Sequence, residues 1–418
     1  MKRYKYDIYE NDGTYITTWS DVVSEPKFSA TINGGLGEMK IILPRKSDDF
    51  GESDDVAFRN QVIVRCFDVD TNDGVIIFNG WISGYVPDLG EKKEYIEVSV
   101  LGYVQELARV ELIDDGSGIN DTPTAGNTTL AYTDQDPSDI LKDIIDKYNV
   151  LTGVFGKVNY TTVAGGDAED SIDDTGIVVD YEFKSTTILD AVNKLVEMCP
   201  ANWYWFLDKN NVIHLHQFSL TPDLTLFVKR DVRELKPYKR IENVKNVCYI
   251  TGKEVAGENI FRKYERSASI TNYGRSATFI NDDRLTDSDT MQKFADAILD
   301  VDDEPEVRTQ GVIIDNNNDD NFGKDIESID PGNVLNILNF LSKKTYTLWG
   351  QALWNVDKWG YDISNVTATN INIVKIDYTP QALSVELSSR LPFITRTVNE
   401  LRRRLDLKTT VNNPDAPA

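Results

Sequence analysis

The two histidines of the chain, His214 and His216, have the residue type and spacing that best suit metal or acid–base chemistry. They occur in the segment VIHLHQF, and side chains two residues apart on a β-strand point to the same face, as paired metal ligands must. No third ligand is evident nearby, since Cys199 precedes a different turn. We interpret the pair as the polar face of a strand and expect no bound metal.

Two acidic segments have the composition of cation-binding loops. Asp68–Gly74 would place Asp73 at the sixth position of an EF-hand loop, which requires Gly, and Asn79 at the twelfth, which requires Glu. We therefore interpret Asp73-Gly74 as a hairpin turn. Asp315–Asp325 is rich in Asp and Asn, and we interpret it as a solvated loop. Its potential cation ligands are Asp315, Asn317 and Asp319. We expect no metal and no cofactor.

A glycine-rich segment, FSATINGGLGEMKIILPR from Phe28 to Arg45, could cradle a phosphate or turn between two strands. A dinucleotide-binding loop needs G-x-G-x-x-G at the start of a helix. Here Asn33-Gly34-Gly35 separates two alternating apolar segments, and the second, from Met39 to Leu43, is β-rich. Asn and Gly adopt the positive φ of tight hairpin turns. The pattern predicts a β-hairpin and excludes a phosphate loop.

The chain carries no recognisable catalytic motif. A nucleophile elbow, an H-E-x-x-H segment and a Walker loop are all missing from the sequence. Acidic residues are so frequent that any choice of a carboxylate pair for glycoside chemistry would be arbitrary. We predict that the protein is not an enzyme and assign no catalytic residues.

The net charge of -24, from 68 acidic and 44 basic side chains, argues against a protein that grips nucleic acid. It is compatible with simple solubility, or with a surface past which a polyanion slides without sticking. No stretch approaches the length of a membrane span, and the basic start lacks the apolar core of a secretory signal. Three scattered cysteines, Cys66, Cys199 and Cys248, indicate reduced thiols and synthesis in a cytoplasm.

Strands dominate the elements that must position these residues. We predict a mainly β protein with α+β parts. Residues 1–110 form a first β-barrel or sandwich, and residues 111–228 an α+β domain with two capped helices and the hairpin NWYWFLDKNNVIHLHQF. Residues 229–260 and 306–395 form a second β domain, which is interrupted by a small insertion, 261–305, with one helix around Asp289–Leu299. The basic segment 396–418 is predicted to be a helix and tail.

A weak internal repeat links the two β domains. The first orders a strand at Gln61–Phe67, a hairpin at Val75–Tyr85 and a closing strand at Tyr95–Gly102. The second follows the same order, and YIEVSVLG and ALSVELSS occupy equivalent places. Its segments are Asn333–Phe340, Thr345–Trp354, Asn370–Asp377 and Ala382–Ser389. The repeat is one of architecture.

The order of these segments resembles the hub, or tail-tip, proteins of tailed bacteriophages. FSATINGGLGEMKIILPRKSDDF resembles the first hairpin of that family, and FNGWISGYVPD with YIEVSVLGYVQELARVEL resembles its closing strands. ILDAVNKLVEMCPANWYWFLDKNNVIHLHQ is similar to the helix and hairpin of its second domain. TNYGRSATFINDDRLTDSDTMQKFADAIL and SIDPGNVLNI resemble its inserted piece and a Pro-Gly turn before a strand. The resemblance covers about residues 1–392.

The resemblance implies a fold and a function. Family members carry two tail-tube-like β-barrel domains per chain, so a homotrimer presents six such domains and matches a sixfold tail tube. We therefore expect a structural protein of the virion, made in the host cytoplasm, that closes the distal end of the tube and lets the genome pass. The implied partners are the tail tube or distal tail protein, the tape measure protein and further tip or spike proteins. No stable nucleic-acid binding, no membrane span and no cell-wall hydrolase module are expected.

Two other functions remain open at this point. The aromatic residues of a tip protein could stack on sugars of a receptor, although half-buried strands also favour alternating aromatics. The candidates are Trp203, Tyr204 and Trp205, and separately Trp349, Trp354 and Trp359. The second alternative is a cell-wall hydrolase component.

Overall fold

The computed structural model describes most of the first 314 residues and two later segments. The described residues are 3–45, 54–67, 74–89, 94–120, 122–162, 170–199, 203–217, 221–227, 231–241, 244–255, 258–281, 291–292, 295–296, 298–299, 302–303, 305–314, 326–338 and 369–388. All structural statements below concern these residues.

The first 240 residues hold thirteen of the described strands. They are β1 (Arg3–Tyr9), β2 (Tyr15–Trp19), β3 (Phe28–Thr31), β4 (Glu38–Leu43), β5 (Gln61–Phe67), β6 (Val75–Leu89), β7 (Glu94–Gly102), β8 (Thr129–Gln135), β9 (Val179–Lys184), β10 (Trp203–Leu207), β11 (Ile213–Gln217), β12 (Leu224–Phe227) and β13 (Val232–Arg240).

Later strands and the helices complete the described elements. The strands are β14 (Val247–Val255), β15 (Glu258–Glu265), β16 (Ala277–Asn281), β17 (Glu306–Ile314), β18 (Val334–Leu338), β19 (Thr369–Thr379) and β20 (Ala382–Ser388). The helices are α1 (Val104–Leu107), α2 (Pro137–Thr152), α3 (Ile188–Met198) and α4 (Ser267–Tyr273), with short 3₁₀ turns at Asp54–Val56, Gly153–Phe155 and Ile326–Ser328.

The first sheet has the strand order β2-β1-β5-β6-β7-β4, with every pair antiparallel. Its strands alternate buried and less buried residues, as in β5 and β7, which is the pattern of a sheet with one face against a core. A backbone hydrogen bond of 3.0 Å from Val23 to Ile42 brings the chain after β2 to the opposite edge strand.

The second sheet has the order β12-β18-β19-β20-β17-β13, and β3 pairs with β19 beside it. The apolar faces of both sheets contribute to one shared hydrophobic core, in which Val64 and Val98 of the first sheet lie with Ile373 and Val385 of the second. The prediction of a mainly β protein with α+β parts is confirmed. Closure of each sheet into a barrel stays a prediction, because the described strands form two sheets around a common core.

The predicted hairpin at Phe28–Arg45 is confirmed around its turn, where Ala30 and Leu36 form an antiparallel bridge. Gly37 also donates to the carbonyl of Ser29 at 2.8 Å. Beyond the turn, however, β3 pairs with β19 of the second sheet and β4 pairs with β7 of the first. The Asn-Gly-Gly signal predicts the turn correctly, but tertiary pairing decides which strand each arm joins.

The α+β unit has its own core between α2, α3 and the hairpin of β10 and β11. Helix α2 begins as its sequence predicts, because the Asp136 carboxylate accepts a hydrogen bond from the Ser138 N–H and Pro137 occupies the first turn. Thr187 caps α3 through the N–H of Asp190. The apolar stripes of both helices are buried, so the interpretation of these stripes as core is confirmed.

A third, small sheet has the order β15-β14-β16. Sequence analysis assigns β14 to the second β domain, but the structure pairs it with two strands of the inserted piece. Met291, Ala295 and Leu299 are buried against it with Cys248 and Ile250, as the apolar face of the predicted helix requires. The sequence pattern does not reveal helix α4, because it has seven residues and no side-chain cap.

Among the described residues, no helix is long and apolar enough to cross a membrane.

Candidate functional site: the junction of the three units

The two histidines lie in a polar chain on one face of the β10–β11 hairpin. His214 Nδ1 is 3.2 Å from His216 Nε2, and His216 Nδ1 is 2.8 Å from a carboxylate oxygen of Asp173. At the other end, His214 Nε2 lies 3.6 Å from Asp208 Oδ2. The rings also pack on aromatics of β10, with Phe206 stacked on His214 at 4.6 Å between centroids. Each imidazole is thus held between a carboxylate and the other imidazole.

Burial and neighbouring groups shift the pKa values of the carboxylates near the two histidines. Burial raises the pKa of Asp208, but contacts with His214 and with the backbone N–H of Val212 outweigh this effect and hold the pKa below its usual value. Burial also raises the pKa of Asp330, which Lys209 opposes and Asp208 reinforces.

A metal ion bound by the two histidines would need further ligands. Within the part of the chain that the structure describes, no three His, Cys, Asp or Glu side chains gather closely enough to hold an ion. The two segments interpreted as a hairpin turn and a solvated loop, Asp68–Gly74 and Asp315–Asp325, lie outside the described residues apart from Gly74.

The aromatic triplet Trp203, Tyr204 and Trp205 is buried, with Trp205 fully inaccessible. The indole N–H of Trp205 donates to Asn193 Oδ1 of α3 at 3.0 Å, and the Tyr204 ring packs with Ile32 and Phe206. Stacking of these rings on a sugar is therefore excluded, and the packing interpretation is confirmed. Trp349, Trp354 and Trp359 lie outside the described residues.

The Asn33-Gly34-Gly35 turn attaches the two β sheets to this hairpin. The N–H of Asn33 donates to the carbonyl of Trp205 at 2.6 Å, and the N–H of Leu207 donates to Gly34 at 2.8 Å. Asn33 has a φ of 52°, which Asn tolerates better than most residues. A Cβ on Gly35 would lie 2.9 Å from Cβ of Leu207. The residues that resemble a phosphate loop thus form the contact between units.

The hairpin also contacts the second sheet through its turn. Lys209 Nζ donates to the carbonyl of Glu327 at 2.8 Å and lies 3.5 Å from an Asp330 oxygen. Within the shared core, the Tyr378 hydroxyl donates to Glu327 Oε1 at 2.6 Å and lies 3.1 Å from the Tyr4 hydroxyl. Because Tyr4 belongs to β1 and Tyr378 to β19, this hydrogen-bonded chain crosses from the first sheet to the second.

A half-buried arginine attaches the first sheet to the α+β unit. Arg59 donates to both carboxylate oxygens of Glu106, at 2.6 and 2.8 Å. Its guanidinium lies 4.9 Å from the centroid of Trp81 and 4.6 Å from that of Phe155. Arg59 also has a φ of 74°, an unfavourable backbone conformation that these contacts compensate.

Inside the α+β unit, Lys147 is surrounded by acidic groups. Its Nζ lies 2.7 Å from Asp115 Oδ1, 2.5 Å from the carbonyl of Ser117, and 3.7 Å from Asp114 and from Asp143. The ammonium holds the pKa of Asp115 at about 2. Burial raises the pKa of Asp143 despite its hydrogen bond from Tyr132. The ammonium itself is buried, and its contacts with Asp115 and Ser117 hold the loop before β8.

Several solved structures with a similar fold are phage tail proteins. A prophage tail protein gp18 from Listeria monocytogenes EGD-e aligns with a TM-score of 0.56 and 11% identity, over 96% of this chain and 99% of its own. The 43 kDa tail protein of prophage MuSo2 from Shewanella oneidensis aligns with a TM-score of 0.57 and 11% identity, over 93% and 98%.

The chain has the fold of a phage tail protein. A tail protein from Neisseria meningitidis MC58 supports the same fold, with a TM-score of 0.52 and 9% identity, over 92% of this chain and 96% of its own. No family model matches the sequence, and no curated protein matches it either. The resemblance seen in the order of sequence motifs is therefore confirmed for the tail-protein fold.

Sequence patterns reveal few of the residues that join the units of this tail-protein fold. The turn at Asn33 has a local signal, because Asn and Gly together favour positive φ. Arg59 and Glu106 form a hydrogen bond although they are 47 residues apart in the sequence, and neither belongs to a recognisable motif. Lys147 follows Asp143 at helical spacing, but its burial depends on the loop that carries Asp114 and Asp115. Only the folded chain brings these groups together.

Proposed function

We propose that the protein is a non-enzymatic structural component of a phage tail, or of an injection device derived from one. The observation that carries this proposal is the alignment over nearly the full length of both chains with tail proteins from three bacteria. In the described residues, the polar clusters either join the units or hold a loop inside the α+β unit, which supports a structural role.

Three copies form a ring at the distal end of the tail tube in this proposal. Each chain supplies two β domains, so the ring offers six positions to a sixfold tube on one side and threefold symmetry to tip proteins on the other. The shared core of the two sheets supports this arrangement, because it holds both domains of one chain as a single unit. The proposed neighbours are the tube or distal tail protein, the tape measure protein and a tip or spike protein.

The negative charge suits transit of the genome through such a ring. Double-stranded DNA carries one negative charge per ~1.7 Å of helix axis, and a basic wall would hold it by counterion release. We propose that the acidic excess faces the channel, with Asp300–Glu304 and Asp315–Asp325 as contributors. Of these residues the structure describes only Asp302, which is buried and so does not contribute, and Asp303, which is half-buried. A neutral or positive lumen in a surface-potential map of the assembled ring would contradict this.

The basic segment 396–418, which lies outside the described residues, is proposed to attach the next tip protein. It carries Arg396 and the run Arg402, Arg403 and Arg404 in an otherwise acidic chain. A chain that ends before Arg396 should keep the ring and bind the tip more weakly. Loss of the ring in this truncated chain, or unchanged particles, would contradict the proposal.

Labelling of assembled particles tests the location. Gold-conjugated antibody against the chain should mark the distal tail end in electron micrographs, with one cluster per particle. Preimmune serum on the same particles is the control. Labelling along the whole tube or on the capsid, or its absence from particles that contain the protein by blotting, would contradict a tip location.

A further inference from the structure

The two histidines of the β10–β11 hairpin lie in a continuous chain of three polar contacts. His214 Nε2 lies 3.6 Å from Asp208 Oδ2, and His216 Nδ1 lies 2.8 Å from Asp173 Oδ2. Between the rings, His214 Nδ1 lies 3.2 Å from His216 Nε2. We call these four side chains the histidine chain. All four ring nitrogens have a partner in it, and the two histidine side chains are only 23% and 22% exposed.

Each of the three contacts needs one hydrogen atom. An ionised carboxylate only accepts, and of two facing ring nitrogens one must donate and the other accept. Two neutral imidazoles carry two ring hydrogens, so one contact would be left with lone pairs on both sides. Two imidazolium rings carry four, so His214 and His216 would point N–H groups at each other. One imidazole and one imidazolium together carry three hydrogens, which fill every contact once.

The third hydrogen belongs to the pair of rings and not to one of them. With the imidazolium at His214, Nδ1–H donates to Nε2 of His216. Transfer of that hydrogen to Nε2 of His216 moves the positive charge to the second ring and reverses only this one hydrogen bond. The contacts with Asp208 and Asp173 are the same in both forms. The two histidines therefore titrate as one coupled unit.

The charges around the histidine chain favour an added proton. Those that face the rings are Asp173, Asp208, Asp330 and Lys209. Asp330 precedes β18 and interacts with the charge of His214, while Lys209 Nζ lies 3.5 Å from its carboxylate. Strand β10 contributes the rings of Tyr204 and Phe206 and no charge. Three carboxylates against one ammonium leave an excess of negative charge, which one imidazolium offsets.

We propose that the histidine chain is a proton-binding site that makes the junction of the units sensitive to pH. One shared proton ties the hairpin to Asp173 and to Asp208 of its own turn, and a second proton, taken up in acid, forces the rings apart. The same turn carries Lys209, which donates to the carbonyl of Glu327 at 2.8 Å. Opening of the histidine chain therefore loosens the contact between the hairpin and the second sheet. This inference does not depend on the ring of the proposed function.

Nitrogen NMR of the full chain labelled with ¹⁵N-histidine tests the proton count. The sequence has only two histidines, so the spectrum reports four ring nitrogens. Independent histidines, which take up a proton near about pH 6.5, would pass from almost four ring hydrogens at about pH 5.5 to almost two at about pH 7.5. The histidine chain is expected to hold three across this range. A continuous change from four to two would overturn the proposal.

The variant Asp173→Asn tests the origin of the third hydrogen. An Asn amide donates to Nδ1 of His216, so two neutral rings then fill all three contacts and the count at about pH 7.5 should fall to two. The matched control is Asp174→Asn, which removes the same charge from the next residue. Asp174 accepts from the N–H of Gly176 at 2.9 Å, as Asn also can, and the count should stay at three. Three hydrogens in both variants, or two in both, would overturn the role of Asp173.

Thermal unfolding against pH tests the sensitivity of the junction. Above about pH 6.5 the folded chain holds one histidine proton and the unfolded chain none, whereas below it the unfolded chain holds two. The gain in melting temperature of the wild type over His214→Gln/His216→Gln should therefore be largest near about pH 6.5 and shrink on both sides. A gain that is constant, or that changes in one direction only, would overturn the proposal. Should the double variant misfold, the NMR count on the wild type decides without any substitution.

Discussion

At the scale of single residues, Lys147 carries the clearest electrostatic role. Its side chain is 1% exposed and stands among three aspartates, so its one positive charge offsets part of their negative charge in a largely buried cluster. Gly118 approaches so closely that a Cβ there would overlap Asp143 Oδ1. The loop before β8 is therefore shaped around this ammonium.

Removal of the Lys147 charge should destabilise the α+β unit. In Lys147→Met the three carboxylates lose their counter-ion, and breaking a buried ion pair from one side costs about 3–5 kcal/mol. The free energy of unfolding in urea measures this loss. Lys40→Met removes a lysine that is paired with Glu97 at the surface, and it should leave the unfolding midpoint unchanged. Equal behaviour of the two variants would contradict the role of Lys147.

Acid should reduce the difference between wild type and Lys147→Met. The Lys147 ammonium holds the pKa of Asp115 at about 2, below the 3.8 of an unperturbed aspartate. A depressed carboxyl pKa stabilises the fold fully above 3.8, and the contribution is lost as the pH falls toward 2. Melting temperatures measured from neutral pH down to about pH 2.5 should therefore converge at the acid end. A gap that stays constant or widens would contradict the assignment.

At the scale of elements, Gly102 of β7 lets the turn at Leu36 and Gly37 pack closely against this strand. A Cβ at this position would overlap the carbonyl oxygen of Leu36, and the N–H of Gly102 donates to the carbonyl of Gly37 at 2.9 Å. Neither group can move without disturbing β4, which pairs with β7 along the same edge. Gly102 thus connects the first sheet to the turn that contacts the β10–β11 hairpin.

Gly102→Ala should weaken the first sheet. Overpacking of a well-packed site costs about 1–3 kcal/mol, since backbone and side chains must shift to make room. Gly84, on the adjacent strand β6, is the matched control, because a Cβ added there would have no other atom within 4 Å. Urea unfolding of both variants should show a loss for Gly102→Ala alone. A similar loss in Gly84→Ala would show that the effect comes from replacing a strand glycine in general and not from the contact with Leu36.

The contact of Arg59 with Glu106 should behave as one unit. Arg59→Met leaves the Glu106 carboxylate buried without its partner, with a cost of about 3 kcal/mol, and Glu106→Gln should cost a comparable amount. The double variant should be more stable than the sum of the single losses predicts, by about 0.5–3 kcal/mol. A double-mutant cycle on the melting transition checks this. Additive losses would show that the two side chains act independently.

The elements are largely predictable from the sequence, and their connections are not. The caps of α2 and α3 and the β10–β11 hairpin follow from local signals, namely Asp136-Pro137, Thr187 and the alternation on both sides of Asp208. The pairing of β3 with β19, and that of β14 with β15, depend on tertiary context, because period-2 alternation does not identify the partner strand. The site contacts of Arg59 and Lys147 are likewise products of tertiary packing.

At the scale of the whole molecule, two sheets around one core give the chain its central body. The Tyr4–Tyr378–Glu327 hydrogen bonds and the β3–β19 pairing tie the amino-terminal sheet to the second one. The β10–β11 hairpin is then fixed to both through Asn33 and Lys209. Such a body suits the proposed ring, in which the two β domains of each chain would keep a fixed relation.

The mass of the purified full-length chain in solution tests the threefold ring most directly. Multi-angle light scattering across a concentration series, with and without the tube protein, should give three times the 47.2 kDa of one chain. A closed ring should show no larger species as concentration rises, because closed symmetry leaves no free interface. A monomer or dimer that persists even with the tube protein present would contradict the account.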